Sequence, residues 1–537
     1  MSSLGKGIAA SSIGALLQLR GYSIKMKKLD PYINIDPGTM SPYKHGEVFV
    51  MEDGCEADLD FGHYERFTGI CCSSKDSLTT GRVYQKVLDK ERHGDYLGSD
   101  IQVIPHITNE IKEFILRNSD DIDFTICEIG GTVGDIEGLP YIETLRQLSI
   151  ELGKSKTMCI HLTFLPFIRV AEELKTKPTQ HSVKQLQSMG VQPDILLCRS
   201  EKPLPDEIKS KLAMFCNVDK DNVMAALDAN NIYLIPNQYH LEGLDKQICK
   251  HFGLSNDRME KQVDEAIKNK WSKLTDIILN PRKTVKIAVI GKYTKLKDAY
   301  ISLTQAIAHA GYANEAKVEI SWINAEDEPD TIEKKLSEVS GIIVPGGFSS
   351  RGIDGKLLAI KYARENKIPF LGICLGLQLA VIESCRNVAG VTNATSREFS
   401  KSGTFVIDFM KNWTTSKDSI ESREEDGAKG GTMRLGSYEC KIAENSLAFE
   451  VYGKKLITER HRHRYEVNYE EYKDIITKSG LVISGTSTDG KLPEIIERKD
   501  HPFFIATQAH PEFKSSPLSA HPLFSSLIKA AIAKEGN

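Results

Sequence analysis

The stretch "FLGICLGLQ" (370–378) sets one cysteine between an apolar run of strand length and a helix-prone run, with glycines on both sides. A sharp strand-to-helix turn needs such small residues. It would present the Cys374 thiol outward, and the helix start would leave backbone N–H groups to bind an oxyanion. A helix N-terminus also lowers a thiol pKa, as a nucleophile requires. Far downstream, "QAHPEF" supplies His510 and Glu512 two residues apart. On an extended segment, residues i and i+2 face the same way. The carboxylate can then orient the imidazole while the imidazole takes the thiol proton. A lone apolar-flanked cysteine is most often inert packing, and an isolated His-Pro-Glu is weak; together they point to nucleophilic thiol catalysis.

A second chemistry opens the chain. In "MSSLGKGIAASSIG", the run Ser3-Leu4-Gly5-Lys6-Gly7 looks like the tip of a phosphate-binding loop feeding a helix. Four more segments are unusual in content: "KKLDPYINIDPGTMSP" (27–42), "HGEVFVMEDGCEADLDFGHYERF" (45–67), "EIGGTVGDIEGLPYIE" (128–143) and "LKTKPTQHSV" (174–183). Each alone reads as turns and solvated charge.

The elements that must carry these residues recur along the chain. Apolar runs of strand length, "FTICEIGG" (124–131), "TMCIHLTFL" (157–165), "DILLCRS" (194–200) and "NIYLIPN" (231–237), alternate with polar or glycine-rich turns. Near-continuous apolar strands between helical stretches predict parallel sheets covered on both faces. A charged, helix-prone connector occupies 255–285. After it "KIAVIGKY" (286–293), "GIIVPGG" (341–347) and "PFLGICLG" (369–376) restart the pattern. The expectation is two doubly wound α/β domains, 1–254 and 286–537, with a polar, mobile surface insertion at 411–432. At 537 residues the chain is too long for one ordinary core. A net charge of -4 gives no reason to propose nucleic acid as a partner, and no apolar run approaches the roughly 20 residues of a membrane span. The eleven scattered cysteines, without a CxxC, read as free thiols in a reducing cytosol.

The C-terminal half resembles class I glutamine amidotransferase domains along nearly its whole length. The resemblance implies Cys374 as nucleophile, His510 as base and Glu512 as its orienter. "PGGFSSRG" (345–352) matches the family loop that completes the oxyanion hole through Gly347. Leu375, Gly376, Leu377, Gln378, Glu398 and Arg464 match glutamine contacts. The four acidic and basic segments together, with "HGDYLG", "ERHRHRYEVN" and "GGTMRLG", extend the likeness over both domains to the CTP synthase family. That family aminates UTP to CTP with ATP and glutamine-derived ammonia.

By the same matching, Ser3, Leu4, Gly5, Lys6, Gly7 and Ile8 would hold ATP phosphates, and Asp60 and Glu128 would bind magnesium. Gly7 stands where common P-loops carry the magnesium-binding hydroxyl, so other oxygen ligands are needed. Ser2, Lys28, Asp135, Ile136 and Glu137 match UTP or CTP positions. Lys175, Thr176, Lys177, Pro178, Thr179, Gln180 and Lys211 match the triphosphate site of the pyrimidine nucleotide. Ala229, in "LDANNIY" (227–233), departs from the family's usual run and is expected only as a backbone contact to ATP. The resemblance further implies a cytoplasmic homotetramer, activation by GTP and feedback inhibition by CTP. Ser349 stands where the family usually has glycine. The family also carries an apolar strand ahead of the first loop, which predicts a native start upstream of Met1. Two other readings stand beside this one: another P-loop amidotransferase of the cobyrinate amidase type, and a decayed, non-catalytic filament subunit.

Overall fold

In the computed structural model, residues 4–40, 46–119, 121–254, 257–292, 297–347, 351–409, 412–414, 420–422 and 433–535 are described. The expected contacts at Ser2 and Ser3 and the departure at Ser349 lie outside them. The chain forms two compact units. One contains Met1–Asp36 and His63–Thr275, the other Pro37–Gly62 and Asp276–Asn537. Residues 37–62, inside the expected first domain 1–254, group with the second unit.

The first unit carries two three-stranded parallel sheets. Ile24–Asp30 lies between Ser77–Thr79 and Phe124–Ile129, and Ile195–Ser200 lies between Val223–Leu227 and Ile160–Phe164. Lys28 and Glu128 are register partners, so alternation of side chains brings them to one face near the carboxyl ends of their strands. Lys27 points the other way. Its fully buried ammonium donates to the carbonyls of Phe114, Ile115 (2.8 Å) and Arg117 (2.7 Å), the C-terminal end of helix Thr108–Leu116. A cation there satisfies orphan carbonyls and offsets the helix dipole.

One expected strand is corrected. "NIYLIPN" is helical, a short turn at Ile232–Leu234 followed by Ile235–Leu241. Asn231 caps it by accepting from the Tyr233 N–H at 3.0 Å, and the strand of that region is the preceding Val223–Leu227. An Asn cap outweighed the apolar run.

The second unit is built on a nine-stranded sheet. Ala316–Asn324, Lys283–Gly291, Gly341–Val344, Phe370–Ile373 and Phe504–Thr507 run parallel. Pro493–Glu497, Val482–Ser487, Arg434–Ile442 and Leu456–His463 continue it antiparallel. Successive residues of the parallel strands enter opposite cores. Ala288, Ile290, Ile342 and Phe370 pack on one face, and Ile287, Val289, Ile343 and Leu371 on the other. Helix Leu375–Asn387 is buried from Leu375 to Cys385, which is why its sequence lacks a polar face.

Candidate active site

The sheet of the second unit delivers Cys374 between strand Phe370–Ile373 and helix Leu375–Asn387. Its backbone adopts φ 52° and ψ -102°, a strained conformation for a side chain. It is held there because the Cys374 N–H donates to the Thr507 carbonyl at 2.7 Å. The flanking glycines are dictated by space. A Cβ on Gly376 would lie 2.1 Å from the Val344 carbonyl oxygen, and one on Gly372 would meet Gly376 backbone at 2.9 Å. The predicted elbow is therefore formed.

His510 and Glu512 also come together, by a different route from the extended segment expected. Glu512 sits in the short turn Pro511–Lys514, which His510 precedes. The turn brings Glu512 Oε1 within 2.8 Å of His510 Nδ1. His510 Nε2 is buried, with the Cys374 thiol as its neighbour. A Cβ on Gly346 would stand 2.7 Å from His510 Cε1 and 3.6 Å from Cys374 Cβ, so His510, Cys374 and the Gly346–Gly347 loop converge. Burial by itself would push the imidazole pKa down, but the charges of Glu512 and Cys374 outweigh it and lift it to about 10. The imidazolium is the charge state that stabilises a neighbouring thiolate.

Around this centre the structure sorts the expected glutamine contacts. The side chains of Leu375 and Leu377 are buried in the core, so only their backbones can face a substrate. Leu375 and Gly376 begin the helix, where N–H groups have no intrahelical acceptor. The Gln378 amide is turned inward, donating to the Tyr465 carbonyl at 2.9 Å. Glu398 is half-buried, its N–H donating to Ser396 Oγ at 3.2 Å, and Arg464 follows the edge strand Leu456–His463. Three residues were missed in the sequence. The Gln508 amide donates to Cys374 Sγ at 3.7 Å, and the thiol lies 4.0 Å from the Arg462 carbonyl oxygen. Lys356 is wholly buried, with its ammonium 3.6 Å from where a Gly347 Cβ would stand. Burial, reinforced by Lys292, drives its pKa down to about 7.

In the first unit, the loop Leu4–Gly5 feeds helix Lys6–Leu19, with Gly5 at φ 90°. Lys6 Nζ donates to the Gly131 carbonyl at 2.9 Å. Arg199 joins two expected ATP segments: it donates to the Leu4 carbonyl at 2.8 Å and to Asp228, beside Ala229, at 2.9 Å. Gly7 is buried and Ile8 half-buried at the helix start.

Lys28 donates to Glu128 Oε1 at 3.0 Å and lies 3.7 Å from Asp30, while the Tyr64 hydroxyl donates to Glu128 Oε2. A cavity of about 410 Å³ is lined by Pro31, Tyr32, Gly131, Thr132, Asp135 and Glu137, among others. Ile136 beside it is 80% exposed.

The "KTKPTQ" run opens helix Lys177–Ser188. Lys175 pairs with Glu173 at 2.7 Å, and Lys177 lies over the Phe215 ring. Thr179 donates to the Phe164 carbonyl, and Gln180 to Thr176 Oγ1. Thr176, Thr179 and Gln180 are buried; Pro178 and Lys211 are exposed. Asp60 belongs to the second unit, where it starts helix Asp60–Thr68 and its N–H donates to Asp58. Glu128 belongs to the first unit. Among the described residues no group of three or more acidic, histidine or cysteine side chains forms a metal cage, and no helix is long and apolar enough to cross a membrane.

Residues 1–254 match the family model described as CTP synthase N-terminus, and residues 295–530 the one described as glutamine amidotransferase class-I. A CTP synthase of Novosphingobium aromaticivorans is 53% identical over 535 residues, covering 99% of this chain and 97% of that protein. The chain belongs to the CTP synthase family. Another CTP synthase, from Pelagibacter ubique, is 54% identical over 532 residues with the same coverage of 99% and 97%. Among solved structures, the glutaminase domain of Trypanosoma brucei CTPS with bound acivicin is 38% identical. It spans 46% of this chain and 94% of its own, with a TM-score of 0.42. As a CTP synthase family member the chain pairs a synthase unit rich in parallel strands with a class I amidotransferase unit.

Proposed function

We propose that this enzyme converts UTP to CTP, using ATP and ammonia released from glutamine. What carries the reading is one chain holding both centres: Cys374 on its strained turn with the His510–Glu512 pair, and the buried Lys28–Glu128 pair near the carboxyl ends of parallel strands. Family membership over the full chain supports the same activity.

In the glutaminase unit, the Cys374 proton resides on His510 Nε2, and the thiolate Sγ attacks the glutamine amide carbon. The N–H groups at Leu375 and the Gly347 loop receive the oxyanion. His510 returns the proton to the leaving nitrogen, the C–N bond breaks, and ammonia departs. Water activated by the same imidazole then cleaves the thioester and frees glutamate. Glu398 and Arg464 would hold the amino-acid end of glutamine.

In the synthase unit, the uracil O4 attacks the ATP γ-phosphorus and ADP leaves. Ammonia then attacks C4 of the 4-phosphorylated UTP and expels phosphate. Lys6 and the N–H groups of its loop would hold the ATP phosphates. Lys28, held between Asp30 and Glu128, would meet the reacting phosphoryl group. Lys175, Lys177 and Lys211 would meet the pyrimidine triphosphate.

Magnesium, when bound, neutralises charge on the transferring phosphoryl group. The donor chemistry fits. The Asp30 and Glu128 carboxylates both lie beside Lys28, and magnesium is commonly held by one or two carboxylates plus phosphates rather than a protein cage. Glu128 would hold it. A homotetramer, GTP activation and CTP feedback at the Asp135–Glu137 side belong to the same reading.

Incubation with UTP, ATP, magnesium and glutamine, followed by chromatography for CTP, is the direct test. Cys374→Ala should abolish glutamine-dependent synthesis and leave ammonium-dependent synthesis. No CTP from either nitrogen source would overturn the proposal.

A further inference from the structure

Residues 47–62 carry a second relationship that the activity alone does not require. Phe49–Val50 and Glu56–Ala57 pair as a short antiparallel hairpin, closed by Met51 N–H to the Cys55 carbonyl at 3.0 Å. It belongs to the glutaminase unit and is pressed onto that unit's sheet. A Cβ on Gly436 would lie 2.5 Å from the Gly54 nitrogen, and one on Gly54 2.9 Å from the Leu435 carbonyl oxygen. Both glycines adopt positive φ. Only glycine allows this approach.

From that seat the hairpin touches the surroundings of the catalytic base at four points. The fully buried Arg460 guanidinium donates to Glu52 Oε1 and to the Val50 carbonyl, each at 3.0 Å. The backbone carbonyl of the same Arg460 accepts the His510 N–H at 2.7 Å. Arg462 donates to Glu56 at 2.8 Å, and its backbone carbonyl faces Cys374 Sγ at 4.0 Å. The Phe49 ring packs edge-on against Phe513 at 5.2 Å, and Phe513 stacks on the His510 ring at 5.5 Å. Lys514, in the turn that carries Glu512, lies 3.8 Å from Glu52.

We infer that Glu52 and Glu56 are positioning residues of the glutaminase. Through Arg460 and Arg462 they set the strand whose backbone holds His510 and faces the nucleophile. This rests on the reading of Cys374 and His510 as the glutaminase pair. Neither glutamate is among the residues proposed to hold glutamine. Each acts through an arginine whose side chain faces the hairpin and whose carbonyl faces the catalytic pair. The hairpin runs directly into Asp60, so the segment bearing that carboxylate is mechanically continuous with the clamp on the thiol.

The test uses the full-length chain, reading glutamate release and the rate at which iodoacetamide alkylates Cys374. E52Q/E56Q is expected to lower kcat for glutamine hydrolysis about 10- to 100-fold. KM should stay within about twofold, since substrate contacts are untouched, and alkylation should slow. E52D/E56D should recover most of both rates. If the double glutamine variant fails to fold by circular dichroism, E52Q and E56Q are read singly with the same expectation. Wild-type kcat and alkylation in a folded variant overturn the inference, as does a rise in KM alone. Glutamate release by C374A would overturn the thiol reading itself. A C374A chain without it, beside an unimpaired E52Q/E56Q, overturns only the role of the hairpin.

Discussion

His510 Nδ1 lies 2.8 Å from Glu512 Oε1, joined across one short turn rather than along a strand. The contact keeps the proton on Nδ1 and leaves Nε2 facing the nucleophile, the arrangement that an acyl-transfer base needs.

Glu512→Gln removes the negative charge that helps lift His510 to about 10. Its imidazolium should then lose its proton at lower pH. The alkaline limb of glutamine hydrolysis is expected to move downward, with kcat reduced on the order of 10²- to 10⁴-fold. Ammonium-dependent CTP formation should persist. A pH–rate profile with an unmoved alkaline limb would show that the pairing does not govern catalysis.

Lys28→Met removes the ammonium 3.0 Å from the buried Glu128 carboxylate. Breaking such a pair costs about 3–5 kcal/mol, and both side chains here are 5% exposed. CTP formation should fail with glutamine and with ammonium alike, and the urea midpoint should fall. K28M/E128Q should regain part of the stability and none of the synthesis. Normal CTP formation by K28M would remove Lys28 from the phosphoryl site.

Lys27 makes a pH prediction of the opposite kind. Burial lowers its pKa to about 8, from an ordinary 10.5. Below about pH 8 folded and unfolded chains both carry the proton, and the folded state bears the whole cost of burying it. Between about 8 and 10.5 only the unfolded chain keeps it, so this group's contribution to stability rises with pH. Unfolding in urea at pH 7 and pH 9.5 should show Lys27→Met losing that rise. An unchanged difference between the two chains would contradict it.

Gly376→Ala tests the elbow by space alone. A methyl 2.1 Å from the Val344 carbonyl oxygen forces the helix start away from the strand, at about 1–3 kcal/mol by analogy with other overpacked cores. A lower melting temperature with slower Cys374 alkylation is expected. Wild-type values of both would show that the turn yields without consequence.

The Cys374, His510 and Glu512 cluster was legible because its residues lie in short motifs. Gly372, Cys374 and Gly376 specify the turn within five residues, and His510 and Glu512 are neighbours on either side of Pro511. Cys374, His510 and Glu512 could thus be picked out together, although a turn replaces the expected extended geometry at His510 and Glu512. The strand mistaken at 231–237 shows the limit of apolar runs, since an Asn231 cap decided for helix. Arg199 and Tyr64 were illegible for another reason. Each reaches its site only because parallel strands or a packed helix bring distant chain together, and nothing in the local residue pattern announces that. The hairpin was missed likewise. Its acidic motif resembles synthase chemistry, while its partners Arg460 and Arg462 lie in a run that composition alone renders as basic surface.

The Glu52–Arg460 contact spans 408 positions, and this has a kinetic cost. Chains emerge from synthesis N-terminus first, so Phe49, Val50 and Met51, all but fully buried in the finished fold, must wait through nearly the whole of translation for the strand that covers them. Closing so long a loop comes late and slowly. Meanwhile a greasy hairpin edge stands open to wrong partners, which makes nascent-chain aggregation, rather than equilibrium stability, the point at which substitutions in 47–62 would first be felt.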